Sequence, residues 1–413
     1  MKRISAILLA AGLVSSACAA TPVISDVVLT QDPATRLVTV TYTLSGADAI
    51  VTPDILTNGV SIGEANIRTV AGDVFRKVKA GKSRRFTWRP DYDWDGQLFA
   101  AKAKLTAWPE NDPPDWLVAS LCVASNVQYY VCKEQLPWAV TSMVYKTRHL
   151  LMRRIRACGV PFTMGSISVE TGRDSGREAL HTAILTNDFY IGVYECTQQQ
   201  YQFVTGSRPA SSGYGGTDAE MRWYTYPASF VGTDALRGAV SDGIDWPSTG
   251  HKVKANSFFD KLRKQTGIEF DLPVEAQWEF AARAGCPFGL YNGYNLNNQK
   301  QDPHLDEIAW WTSNCVRTAT GALTTQPVGL KKPNAFGLYD MLGNTCETCL
   351  DYYIANPTSC DPNIGPTTPS SRQRRGGCAV NWEGNTVRVN YRDAVGETGR
   401  YEAGFRIAWT LQK

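Results

Sequence analysis

From Leu37 to Leu44 the chain reads LVTVTYTL, with Val38, Val40, Tyr42 and Leu44 on one side of an extended segment and threonines between them. Such a period of two predicts a half-buried β-strand. Shorter β-branched or alternating runs lie at Val27 to Leu29 and Leu98 to Trp108, and Asp32-Pro33, Ser45-Gly46 and Asp95-Gly96 mark turns between them. Residues 21–108 therefore predict an all-β sandwich of immunoglobulin-like or fibronectin-like type. No cysteine falls within it, so it lacks the inter-sheet disulfide of antibody domains. Trp88, Trp94 and Trp108 are expected to serve as core rather than as a carbohydrate platform.

The turn-rich PENDPP at 109–114 opens an ordered connector over 109–148. A strand is predicted at His149 to Ile155, leading into PFTMGS and a glycine-rich surface segment. The period then becomes helical. Thr197 and Gln200 have capping-box spacing ahead of a helix through Val204 that stops at Gly206. Phe258 and Leu262 share a face of a second helix ending at Gly267. VEAQWEFAARAG, from Val274 to Gly285, stacks Trp278, Ala281 and Ala282. Glu275, Glu279 and Arg283 follow at four-residue steps, which predicts a surface ion-pair ladder.

Pro333 to Tyr353, PNAFGLYDMLGNTCETCLDYY, has neither period. Gly337 and Gly343 permit positive φ, and Asp340, Asn344, Glu347 and Asp351 supply oxygen. Phe336, Leu338, Tyr339, Met341 and Leu342 supply an apolar side. An irregular backbone too apolar to be solvated predicts the interior of a loop-rich domain, wired by hydrogen bonds and a metal.

With 413 residues the chain exceeds one ordinary core, and 43% hydrophobic content supports globular folding throughout. A net charge of +3 without a basic block indicates neither nucleic acid nor an anionic membrane as partner. Lys2 and Arg3 precede an apolar run from Ile4 to Val14 and small residues through Ala20, the pattern of a signal peptide over 1–20. Ser15 stands where a lipoprotein signal ending at Cys18 would want a branched apolar residue. No later stretch is long and apolar enough for a membrane helix. The mature protein is thus expected to be exported, periplasmic or extracellular, with disulfides among its ten downstream cysteines. The CxxC at Cys346 and Cys349 has no second CxxC or histidine pair for zinc.

FTMGS, DFYIGVYECTQQQYQFV, LPVEAQWEFAARAG, QPVGLKKPNAFGLYDMLGN, RRGG and GFRIA, in this order, resemble the formylglycine-generating enzyme, or sulfatase-modifying factor, family over residues 149–413. The resemblance implies an α+β, C-type-lectin-like fold of low regular secondary structure. It also implies one structural calcium ion on Asp340 and Glu347 with the carbonyls of Gly343 and Thr345. Active members oxidise a sulfatase cysteine with oxygen and copper(I) on two cysteines after the RGG motif, a soft-ligand site. The corresponding positions here are Asn381 and Thr386, so copper is not expected. Cys378 stands where the family more often has serine, and Cys346 and Thr348 replace tryptophans. Val274 replaces a helix-capping threonine, and Asp271 an arginine. Two functions follow. One is a non-catalytic binding or scaffold variant whose groove near Asn381, Trp382 and Arg392 takes an exported protein, peptide or glycan. The other is a formylglycine-generating oxidoreductase with a rearranged site among Cys346, Cys349 and Cys378.

Overall fold

The computed structural model describes residues 20–209, 223–244, 246, 252–315, 323–358, 360–366, 371–380, 383–395 and 403–412. The signal segment with Cys18, and Asn381 and Trp382, lie outside them. The fold is mostly β with few helices.

Two sheets of four strands form the N-terminal part. One orders Val23–Gln31, Val38–Ser45, Gly81–Trp88 and Val70–Gly72; in the other, Ala49–Thr57 pairs with Val60–Ser61, Lys77–Val78 and Lys102–Trp108. Val38, Val40, Tyr42 and Leu44 are buried, and the threonines between them are partly exposed, as the alternation predicts. Trp88 is fully buried and donates its indole N–H to Asp93 at 3.0 Å, while Trp108 reaches the Thr52 hydroxyl at 2.8 Å. Both tryptophans are thus spent on the interior.

Residues 109–148 are ordered as part of the next layer. Trp116–Ser120 and Val127–Tyr130 join His149–Ile155, Phe189–Gly192 and Ala408–Thr410 in a five-stranded antiparallel sheet, ordered 127–130, 116–120, 149–155, 189–192, 408–410. The sandwich docks on this sheet. Tyr129 donates its N–H to the Phe75 carbonyl at 2.7 Å, and the Phe75 and Tyr130 rings lie 5.0 Å apart. A last sheet orders Asp393–Val395, Arg372–Arg375, Cys346–Tyr352 and Ala403–Gly404, the final pair parallel.

The three main helices form where their end signals stand. Thr197 and Gln200 close a reciprocal cap on Gln198–Thr205, which ends at left-handed Gly206; Phe258–Thr266 is capped by Ser257 and ended by Gly267. Glu275–Arg283 starts after Val274, which has no hydroxyl. Its first N–H is instead accepted by the Asp351 carboxylate at 2.5 Å. A strand therefore supplies the cap that the helix's own sequence lacks.

The expected surface ladder on that helix is overturned. Glu275, Glu279 and Arg283 are all buried. Glu279 accepts from Arg283 at 2.7 Å, from the Gly165 N–H at 2.9 Å and from Arg375, while Glu275 is bound in bidentate fashion by Arg392 at 2.6 and 2.8 Å. Burial is tolerated because each carboxylate meets a guanidinium. The Pro333 to Tyr353 stretch is also more regular than its pattern. Its loop part has positive φ at Gly337, Asp340, Gly343 and Asn344, but Cys346–Tyr352 is a strand buried along its whole length.

Candidate functional site

On the Cys346–Tyr352 strand, successive side chains alternate between faces. Glu347, Cys349 and Asp351 face the Glu275–Arg283 helix: the Trp278 indole donates to Glu347 at 2.7 Å and Asp351 caps the helix. Cys346, Thr348, Leu350 and Tyr352 point the other way. The CxxC spacing, which on a helix would bring two thiols together, here puts Cys346 and Cys349 on opposite faces. Cys349 is fully buried in the core containing Trp278 and Leu338, and burial pushes its thiol far above the ordinary range.

Cys378 lies across from Cys346. Arg374 and Arg375 pair with Thr348 and Glu347, and the chain then bulges at Gly376 and Gly377, both at positive φ. It returns to register where Gly343 donates to the Gly376 carbonyl and Ala379 to the Asn344 carbonyl, each at 2.9 Å. A side chain at 377 would strike the Thr386 carbonyl, so glycine is required there. This bulge turns Cys378 onto Cys346, and the two buried thiols share a hydrogen bond. Burial, then the Cys346 neighbour, hold the Cys378 thiol well above its usual value.

Of the two positions where the resemblance places copper cysteines, Asn381 lies outside the described residues, and Thr386 sits in a 3-10 turn with its hydroxyl donated to the Glu383 carbonyl at 2.9 Å. A hydroxyl there does not fit a soft cation. Arg392, expected to line a groove, is 1% exposed and holds Glu275 while donating to the carbonyls of Arg177, Ile354 and Ala355. Its guanidinium is committed to the interior.

The expected calcium ligands surround a carboxylate that the sequence reading did not single out. Glu195 is fully buried and accepts from the Thr345 hydroxyl at 2.7 Å, the Thr345 N–H at 3.0 Å and the Asn344 amide at 2.7 Å. Burial, reinforced by Asp340 and Glu347, pushes its carboxyl well above the usual range. Asp340 accepts the Gly329 N–H at 2.6 Å through Oδ2, whereas its buried Oδ1 has no protein partner. Burial raises its pKa from 3.8 to about 6 against the opposing Gly329 N–H, Arg406 and Lys146. Glu347 receives Arg406 at 2.5 Å. The donor set is hard, but one of its two carboxylates is already neutralised, so the fit to calcium rests on Asp340.

A separate cleft of about 750 Å³ opens beside the C-terminal end of the Glu275–Arg283 helix, lined by Val160, Phe162, Ile167, Leu180, Phe280 and Phe336 among others. Ile167 and Leu180 remain 46% and 47% exposed. The signal for it was Ile167 and Leu180, large apolar residues in an otherwise polar stretch.

A model of the sulfatase-modifying factor enzyme 1-like domain family matches residues 147–411. The chain belongs to this family. Among relatives, the chaperone protein LppX of Paenibacillus barcinonensis is 28% identical over 241 residues, 50% of this chain and 75% of that protein. The formylglycine-generating enzyme of Thermomonospora curvata is 31% identical over 198 residues, 45% of this chain and 63% of the enzyme, so the match spans less than two-thirds of that enzyme's length. The structure of PvdO from Pseudomonas aeruginosa superposes with a TM-score of 0.49 at 23% identity, over 63% of this chain and 95% of PvdO. Within the family domain, the glycines after Arg375 build the bulge that carries Cys378, and the arginine of GFRIA, Arg406, is the partner of Glu347.

Proposed function

We propose that this protein is a non-catalytic binding or scaffold member of the sulfatase-modifying factor family. The observation that carries the reading is Thr386, a hydroxyl tied to its own turn where the oxidase chemistry needs a thiolate. A chaperone among the relatives also favours a protein-binding role over oxidation. The apolar cleft under Ile167 and Leu180 suits an apolar protein or peptide segment better than a glycan. The proposal extends to export through the 1–20 signal segment and to an immunoglobulin- or fibronectin-like type for the N-terminal sheets. Among the described residues, no helix is long and apolar enough to cross a membrane. Calcium is proposed at Asp340 Oδ1 with the carbonyls of Gly343 and Thr345; Glu347 joins only by sharing its carboxylate with Arg406.

One observation favours the alternative oxidase reading, namely that Cys346 and Cys378 face each other. Copper-loaded, reduced protein incubated with a CxPxR sulfatase peptide under oxygen separates the two. Mass spectrometry is expected to find the substrate thiol intact, and aldehyde formation abolished by Cys378→Ala would overturn the binding reading.

A further inference from the structure

We infer that Cys346 and Cys378 form a disulfide that pins the Cys346–Tyr352 strand to the segment leaving Arg372–Arg375. The register is fixed on both sides of the pair. Glu347 opposes Arg375 on one side, and the Ala379 N–H bonds the Asn344 carbonyl on the other, so neither cysteine can slide relative to its partner. The double-glycine bulge at Gly376 and Gly377 turns Cys378 onto Cys346, so a cross-link there would join two segments whose register is already set. The third nearby cysteine cannot compete. Cys349 projects from the opposite face of the same strand into another core, with Trp278 and Leu338. Both cysteines are under 5% exposed, at 4% and 3%, so the bond once made is shielded from reductant.

Oxidation removes one proton and one electron from each thiol and joins the sulfurs. A low-molecular-weight disulfide of the glutathione type accepts the two electrons and leaves as two thiols, by way of a mixed disulfide with one of the cysteines. Because the sulfurs are buried, the exchange occurs during folding or on local opening of the strand pair. Once closed, the bond removes both thiols from soft-metal binding.

Full-length protein refolded in oxidised and reduced glutathione, then alkylated under denaturing conditions and digested, tests the assignment. The expected result is a Cys346–Cys378 linked peptide with Cys349 alkylated, and a melting temperature that falls by about 10 °C on reduction. Cys349→Ser should keep the linked peptide, and Cys378→Ser should lose it together with the melting shift. Alkylation of Cys346 and Cys378 in the oxidised protein, or linkage of either to Cys349, would overturn the assignment. Should Cys378→Ser fail to fold, the wild-type peptide map decides alone. The map requires no activity, so its failure leaves the binding reading standing.

Discussion

Replacing Glu279 by alanine should be among the most damaging single changes to the C-terminal domain. The carboxylate is fully buried and is the common acceptor for Arg283 at 2.7 and 2.9 Å, for Arg375, and for the Gly165 N–H at 2.9 Å. Arg375 and Arg283 are 1% and 6% exposed. Alanine leaves Arg283 without its carboxylate partner, Arg375 with Glu275 at 3.6 Å, and the Gly165 N–H without its acceptor, all in a water-poor interior. Taking one partner out of a buried ion pair costs about 3–5 kcal/mol, most of it the penalty of the stranded charge. The individual charge-assisted hydrogen bonds, about 1.5–3 kcal/mol each, are not additive with that figure. Urea unfolding followed by tryptophan fluorescence reads the change directly, since Trp278 lies on the same helix with Arg375 5.3 Å over its ring. Glu307→Ala is the internal control: its pair with Lys332 spans 2.9 Å but is exposed, and no measurable change is expected. A double change of Glu279 and Arg375 to methionine should recover the part of the loss that comes from Arg375 and leave the part that comes from Arg283. If Glu279→Ala costs under about 1 kcal/mol, the assignment of buried charge pairing as the organising force of this domain is refuted.

Asp340 gives a pH signature. Its raised pKa of about 6, against 3.8 ordinarily, means its stabilising contribution is complete below about pH 4 and lost as pH rises through about 6. The difference in melting temperature between wild type and Asp340→Asn should therefore change between those pH values in chelated protein, and a flat difference would show that the carboxylate ionises normally. Calcium readdition at pH 7 should raise the wild-type melting temperature and leave Asp340→Asn unaffected; equal responses would exclude Asp340 as a ligand. Asp351→Ala removes the cap from Glu275–Arg283 and should cost about 1–2 kcal/mol in urea unfolding, whereas Asp271→Ala, which breaks buried pairs with Arg237 and Arg263 instead, should cost more.

What could be read from the chain was whatever is decided within one or two turns of structure. LVTVTYTL declares its buried face because the threonines stay at least partly exposed, and Thr197 with Gln200 declares a cap because both partners sit three residues apart. Glu275 and Glu279 were misplaced for the same reason. At four-residue range the visible cation is Arg283, whereas Arg375 lies 96 residues beyond Glu279 and Arg392 lies 117 beyond Glu275. Arg392 is expected beside a groove with Asn381 and Trp382, and nothing local reveals that Glu275 has already claimed it. The CxxC was ambiguous until the Cys346–Tyr352 segment proved extended.

The strand escaped pattern reading because its inner face is Glu347, Cys349 and Asp351, two carboxylates where a periodic core would have aliphatic residues. Those carboxylates are tolerated inside because one takes Arg406 and an indole, and the other takes a helix N-terminus. The same substitution of charge pairing for apolar contact recurs in Arg388, which is fully buried between Glu170 and Glu178 at 2.7 Å each. In this domain much of the interior is specified by which arginine reaches which carboxylate, and the pairs of Arg375, Arg388, Arg392 and Arg406 each span more than fifty residues of chain. Motif order preserves part of that information, since Glu275 and Glu279 lie in one motif, Arg375 in another and Arg406 in a third, and hydrophobic periodicity does not record it. This is why the family could be read from six short segments while the sheet that holds the cysteines could not. It also explains how Thr386 can stand where a thiolate is expected without disturbing the fold, because its hydroxyl belongs to no ion pair and donates within its own turn to the Glu383 carbonyl.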